Sequence, residues 1–443
     1  MEVQIAGDVV VGQGGQDPAS TRRWWTWVGV WSALGLAIRL AVVFSTASKQ
    51  PVGDAFFYHY EANLIAAGKG FINPFLYFEH IPHEVVKTAS FPPGFVFVLT
   101  AASLVGFKSF LAQRIWCCIV GAAGIAVCAA VGRDISGRRA GLIAAFLVAV
   151  YPNIWMSDPL ALSETLSPVI VAVVLLFAYR FWRNPSLRGG FWLGLCIGAA
   201  ALARDELALL GLFVLVPAAI GAHRLAPSAR LKAFAAGCAG FIVVVGPWVG
   251  YNMSRFTNPV FVSTGFGVTL ASANCASTWS GPYEGYWSMP CALAVPVNPH
   301  VDESVQGSTD QAYAMRFIQA HLGRFPVVAA ARIGRTFGLY RPIQQIQLDS
   351  AIEKRPYHWA LVGLFMYYAM LGLSVVGVVL MRRRSVPVYP LVAVGLTVVV
   401  AVVISFGQTR FRSTFEISLV LWSAVALEAA WARVASTRAV PAG

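Results

Sequence analysis

Charge is scarce in this sequence. Only 12% of its 443 residues are Asp, Glu, Lys or Arg, against about 25% in an ordinary soluble domain. That scarcity excludes a disordered chain, a charged coiled coil and a typical soluble globule. Acid is scarcer than base, with 20 Asp+Glu against 33 Lys+Arg and a formal net charge of +13. Cysteine and histidine number seven each, and neither falls into a CxxC or His-rich spacing that would predict a metal site. No internal repeat is visible, and no polar stretch is long enough to fold as a soluble domain of its own.

Apolar residues fill the space that charge leaves. They make up 57% of the chain, and the mean hydropathy is +0.65. No water-soluble core could hide that much apolar surface, so the expected class is an all-α polytopic membrane protein. In a soluble protein the basic excess would suggest nucleic acid. Here Lys and Arg sit in short clusters between apolar runs, without interleaved aromatics, so the excess reads as positive charge held on the cytoplasmic side and no nucleic-acid partner is expected.

A run of about 20 apolar residues crosses a bilayer as a helix. Such runs predict about ten transmembrane helices: Trp24–Thr46, Ile115–Val131, Ala140–Met156, Leu166–Phe181, Phe191–Ala203, Leu207–Ala222, Ala233–Tyr251, His358–Met381, Tyr389–Phe406 and Phe415–Ala432. The first lies behind Arg22-Arg23, is too long for a signal-peptide core, and is expected to be uncleaved. Every second loop is basic: Arg133, Arg138 and Arg139; Arg183 and Arg188; Arg224, Arg230 and Lys232; Arg382 to Arg384; then Arg433 and Arg438 in the tail. The parity puts both termini in the cytoplasm of a multi-pass plasma-membrane protein. It holds only if Phe91–Phe107, which begins Phe-Pro-Pro-Gly, stays out of the count as an outer juxtamembrane or re-entrant helix.

The resulting plan has a cytoplasmic tail 1–23, a membrane domain 24–432 and a cytoplasmic tail 433–443. The membrane domain carries two long outer loops, 47–113 and 252–357. Loops of that length in a compact protein are usually functional. Cys117, Cys118, Cys128, Cys196 and Cys238 fall in spans and read as packing residues. Cys275 and Cys291 share the second outer loop, where an oxidising compartment would allow a disulfide. Arg39, inside the first span, either snorkels to the interface or faces a polar cavity.

Four polar clusters converge on the outer face in this topology. They are Asp54 with Tyr58 and His59; Asp158 with Glu164; Arg204-Asp205-Glu206; and Gln408 to Arg412 with Glu416. Arg410 and Arg412 break the positive-inside pattern. An anion such as a lipid phosphate would justify them, and so would ion pairing to Glu416, Glu206 or Asp205. Asp54 could serve as a general base at the membrane surface or as the N-cap of a helix over 55–67. Glu164 could be a first-turn residue favoured by the helix dipole. His59, His80 and His83 share the first outer loop; a divalent metal there is conceivable, but no spacing calls for one, and no cofactor is expected.

These motifs resemble the bacterial GT-C membrane glycosyltransferases of family 39, similar to dolichyl-phosphate-mannose–protein mannosyltransferases. The resemblance rests on Gly53-Asp54-Ala55 with Tyr58-His59, Ala67-Gly68-Lys69-Gly70-Phe71, Phe91-Pro92-Pro93-Gly94, Gly137-Arg138-Arg139-Ala140-Gly141, Tyr151-Pro152, Ser163-Glu164-Thr165 and Leu202 to Glu206. Pro247-Trp248, Asn252, Arg255-Phe256, Pro259 and Gly407-Gln408 with Arg410-Phe411-Arg412 complete it, in order along nearly the whole chain. It implies a GT-C-like bundle with outer juxtamembrane helices. The implied activity is inverting transfer of a sugar from a polyprenyl-phosphate donor to a hydroxyl of a glycan, lipid or protein acceptor on the outer face. Asp54 would take the acceptor's proton, and Arg410, Arg412 and Arg204 would hold the donor phosphate. Tyr58, His59, Glu164, Asp205 and Glu206 would support substrate. Members of the family carry an Asp-Glu pair in the first loop, whereas Ala55 follows Asp54 here. The competing expectations are a glycolipid flippase, which would need midplane polar residues and repeated halves, and an inactive assembly subunit of an envelope glycan pathway.

Overall fold

The computed structural model describes residues 18–79 and 83–438; His80 and the outer parts of both expected tails lie outside them. Among the described residues every regular element is a helix, with one isolated antiparallel bridge between Ile72 and Lys87. Among the described residues six helices are long and apolar enough to cross a membrane: Ala19–Ser45, Phe110–Val150, Ser163–Arg183, Pro227–Met253, Tyr357–Arg383 and Thr409–Ala435. Leu187–Ala203 and Tyr389–Ile404 are apolar but shorter.

Phe110–Val150 is two of the expected spans. Helical dihedrals fail at Ser136 and at Gly137, whose φ of 87° suits glycine. The chain then folds back so tightly that a Cβ on Gly141 would lie 2.5 Å from the Ala129 carbonyl oxygen. The returning arm ends at Val150 rather than Met156, because Pro152 opens a separate short helix, Pro152–Trp155. The expected span Leu207–Ala222 is also broken, into a 3-10 turn Asp205–Leu209, a π turn Gly211–Leu215 and a short helix Val216–Ile220. Pro217 lies at its centre and cannot donate to the preceding turn. The helix Pro93–Leu104 has 12 residues, about 18 Å at 1.5 Å per residue, too short for a hydrocarbon core of about 30 Å. It packs on Asp54–Ala66 through Phe95, Val96 and Leu99, all fully buried.

Between the long helices the packing is close because small residues meet. A Cβ on Gly194 would sit 1.8 Å from the Gly237 carbonyl oxygen, and one on Gly240 would sit 2.2 Å from that of Phe191. The helices Leu187–Ala203 and Pro227–Met253 therefore touch backbone to backbone, the usual device where lipid supplies no hydrophobic drive for helix association. Val171, Val174, Leu175, Leu193, Ile197 and Leu419 fill the centre. Trp25, Leu34, Phe44, Ile242, Phe365 and Val375 face outward.

Buried guanidinium groups inside the bundle are held by a carboxylate or by backbone carbonyls. Arg39 does not snorkel: it is fully buried, and its Nε donates to Asp158 Oδ2 at 2.6 Å. A Cβ on Gly121 would overlap that carboxylate, so the glycine makes room for it. Arg114, also buried, donates from Nε to the Pro159 carbonyl at 2.6 Å and from Nη1 to that of Thr46 at 2.8 Å. Together the two arginines fasten the segment 157–160 to the end of the first helix.

The glycine seam makes a stability prediction. Gly194→Val must push two backbones apart, at about 1–3 kcal/mol or more for overpacking, whereas Gly250 has open space around it. In detergent, Gly194→Val is expected to lower the melting temperature clearly and Gly250→Ala to leave it unchanged or slightly raised.

Candidate active site

Asp54 opens the helix Asp54–Ala66 but does not cap it. Gly53, with φ 53°, is the N-cap, and no side chain caps that end. The Asp54 carboxylate instead accepts from Arg410 Nη1 at 2.7 Å, from a residue 356 positions later. The Nε of Arg410 faces Glu353 Oε1 at 3.2 Å and Glu164 Oε1 at 3.7 Å. Glu164, buried in the short turn Ser163–Thr165, also accepts from Arg204 Nη1. Arg204 ends the helix Leu187–Ala203 in extended conformation and reaches Glu206 at 2.6 Å. Arg355 reaches Glu353 at 2.8 Å. The set is four carboxylates around three guanidinium groups, drawn from five separate stretches of chain. Tyr58 hydrogen-bonds with Ser163 beside it, and burial raises its hydroxyl pKa.

The turn carrying Arg410 is fixed from the large loop. Gly407 N donates to the Gly285 carbonyl at 2.7 Å, and Gln408 N donates to Thr336 Oγ1 at 3.2 Å. Gln408 Nε2 donates to Glu353, and the Thr409 hydroxyl donates to Asp349. A Cβ on Gly407 would lie 2.3 Å from the Arg332 carbonyl oxygen, so only glycine fits there. The loop that presents Gly285 is closed by a disulfide between Cys275 and Cys291, Cα atoms 6.1 Å apart. Arg335 donates to the carbonyls of Glu284 at 2.6 Å and Pro282 at 2.8 Å, holding that loop from the other side.

Residues 90–251 match the family described as dolichyl-phosphate-mannose-protein mannosyltransferase. The solved archaeal oligosaccharyltransferase AglB from Archaeoglobus fulgidus, in complex with an inhibitory peptide and a dolichol-phosphate, is similar with TM-score 0.58 and 14% identity. That match covers 96% of this chain and 53% of AglB. The fold is GT-C. This chain spans about half the length of the oligosaccharyltransferase it matches. ArnT from Cupriavidus metallidurans bound to undecaprenyl phosphate also matches, with TM-score 0.41 and 17% identity over 92% of this chain and 80% of that one. No curated protein matches in sequence.

On this GT-C frame, Asp54, Tyr58, Glu164, Arg204, Glu206 and Arg410 come together. Arg412 does not join them. It is buried, donates to Glu416 at 2.6 Å and to the Thr336 carbonyl at 3.0 Å, and lies 3.6 Å from the Tyr367 ring centre. Of the two expectations for it, ion pairing to Glu416 is the one observed. His59 also points elsewhere, its Nδ1 2.8 Å from Gln113 Oε1 in a chain of contacts that binds Asp54–Ala66 to its neighbours. His83 stacks on Tyr77. Among the described residues no group of three or more His, Cys, Asp or Glu is arranged to hold a metal ion. The sequence reading missed Asp349, Glu353 and Arg355. The i, i+4 spacing of the two acids at the end of the large loop was a readable signal, since it puts both on one helix face.

Asp205 sits beside the cluster. Its Oδ2 accepts from Ser263, while Oδ1 is buried without a hydrogen-bond partner among the described residues. Burial pushes its carboxyl up to about 7. The unfolded carboxyl titrates near about 4, so the folded state binds the extra proton and stability falls as pH rises from about 4 to about 7. Thermal melts between about pH 5 and 8 should show that fall in wild type and a flatter profile in Asp205→Asn.

Proposed function

We propose that this protein is an inverting glycosyltransferase that moves a sugar from a polyprenyl-phosphate carrier to an acceptor hydroxyl on the outer face of the plasma membrane. The observation that carries this reading is the ion pair between Asp54 and Arg410, set among Glu164, Glu353 and Arg204. A base and a cation side by side suit a reaction in which a proton leaves one oxygen while negative charge grows on another.

In the proposed step the acceptor oxygen gives its proton to Asp54 and attacks the anomeric carbon on the face opposite the phosphate. The bond from that carbon to the phosphate oxygen breaks, and the polyprenyl phosphate leaves with both electrons. Arg410 offsets the charge on that phosphate, with Arg204 beside it. Arg412 is committed to Glu416, so its part is to hold the start of the last helix. The dolichol-phosphate in the AglB complex supports a lipid phosphate as the ligand class. The parity of the basic loops supports cytoplasmic termini and an outward site. The acceptor class is a hydroxyl of a glycan, a lipid or a protein.

The test is transfer from a panel of polyprenyl-phosphate sugars by purified protein with membrane-extract acceptors. Wild type is expected to transfer from at least one donor, and Asp54→Asn to lose about 10²-fold or more in rate while still inserting and melting normally. Full transfer by Asp54→Asn would remove Asp54 from the role of base.

A further inference from the structure

As the site stands, the two groups assigned to chemistry neutralise each other. Arg410 Nη1 is 2.7 Å from Asp54 Oδ2. That contact engages a carboxylate oxygen that would have to meet the acceptor's proton. The same contact occupies the arginine face that a phosphate would need. Both roles require this pair to part while Arg410 stays where it is.

The carboxylates around Arg410 differ in how firmly they are held. The Asp54 side chain is 31% exposed, and its only ion-pair partner among the described residues is Arg410. Glu353 is 9% exposed and also binds Arg355 and Gln408. Glu164 is 1% exposed and is tied to Arg204. Glu353 further shares its helix, Pro342–Glu353, with Asp349, which takes the hydroxyl of Thr409. That helix therefore grips three consecutive residues, Gln408, Thr409 and Arg410. Asp54 is the loosest partner, and it follows a glycine at positive φ.

Resting on the reading of Asp54 as base and Arg410 as phosphate ligand, we propose that Glu353 is a positioning residue that holds Arg410 while the donor phosphate takes the place of Asp54, so that donor binding frees the base. The phosphate and Asp54 compete for Nη1 of the guanidinium, while Glu353 stays ion-paired beside Nε at 3.2 Å. The acceptor's proton can then be taken only when the donor is present. A handover of this kind protects the lipid-linked sugar, because the Asp54 carboxylate stays engaged by Arg410 whenever the phosphate is absent.

The two carboxylates then have opposite effects on phosphate binding. Asp54→Asn removes the competitor. Glu353→Gln removes the anchor and lets Arg410 close onto Asp54. The experiment is titration of each purified full-length variant with farnesyl phosphate in detergent, followed by calorimetry, with melting temperatures measured alongside. Asp54→Asn is expected to bind about three- to tenfold more tightly than wild type and Glu353→Gln about fivefold or more weakly, the scale of one partly exposed charge pair. Glu353→Asp, which keeps the charge, should recover most of the lost affinity. Unchanged or weaker binding by Asp54→Asn, or tighter binding by Glu353→Gln, overturns the handover. A failure of the base assignment looks different, because Asp54→Asn would then bind in any manner and still transfer sugar.

Discussion

A guanidinium that leaves water needs acceptors, and the architecture of this protein meets that need with carboxylates at four arginines and with backbone carbonyls at Arg114 and Arg335. Moving one ion into a low-dielectric interior costs several kcal/mol even after relaxation, and removing one partner of a buried pair costs about 3–5 kcal/mol. Arg39 is answered by Asp158, Arg412 by Glu416, Arg204 by Glu164 and Glu206, and Arg410 by Asp54 and Glu353. Each pair joins residues that the apolar pattern alone would leave unconnected, or pins a turn at the end of a span. The helices supply the walls, and the pairs decide which helix ends meet.

Two of those pairs fix the scaffold and one group is left open to chemistry. Arg39–Asp158 is sealed on all sides, with a glycine making room for the carboxylate. Arg412–Glu416 is sealed as well, covered by the Tyr367 ring, with the Tyr151 hydroxyl donating to Glu416 at 2.8 Å. The group around Arg410 is less enclosed, with the Asp54 side chain 31% exposed and that of Glu206 22% exposed.

The bundle was legible in the sequence because its signal is hydropathy, and hydropathy is local. The span positions agree with the helices even where a helix is broken, as at Gly137 and around Pro217. The segment expected to stay out of the crossings, Phe91–Phe107, holds a helix of 12 residues. Asp54, Glu164, Arg204 and Arg410 were legible because charge is rare enough to stand out. Arg412 and His59 make their contacts away from the cluster because neighbours in sequence face different ways in a tight turn or on a helix. The spacing of Asp349 and Glu353 put both on one helix face, but only the tertiary fold of the large loop sets Glu353 against Arg410.

Arg39 and Asp158 are separated by 119 residues, and this separation has a consequence in time. A ribosome makes the first helix well before the segment that neutralises it. During synthesis, that helix carries a naked charge into whatever environment receives it, and it cannot settle among lipids until the fourth apolar stretch arrives. Asp54 waits longer still, since its partner is 356 positions away. The contact between Asp54 and Arg410 therefore forms only after residue 410 has been made, and a shorter chain carries the acid without the cation.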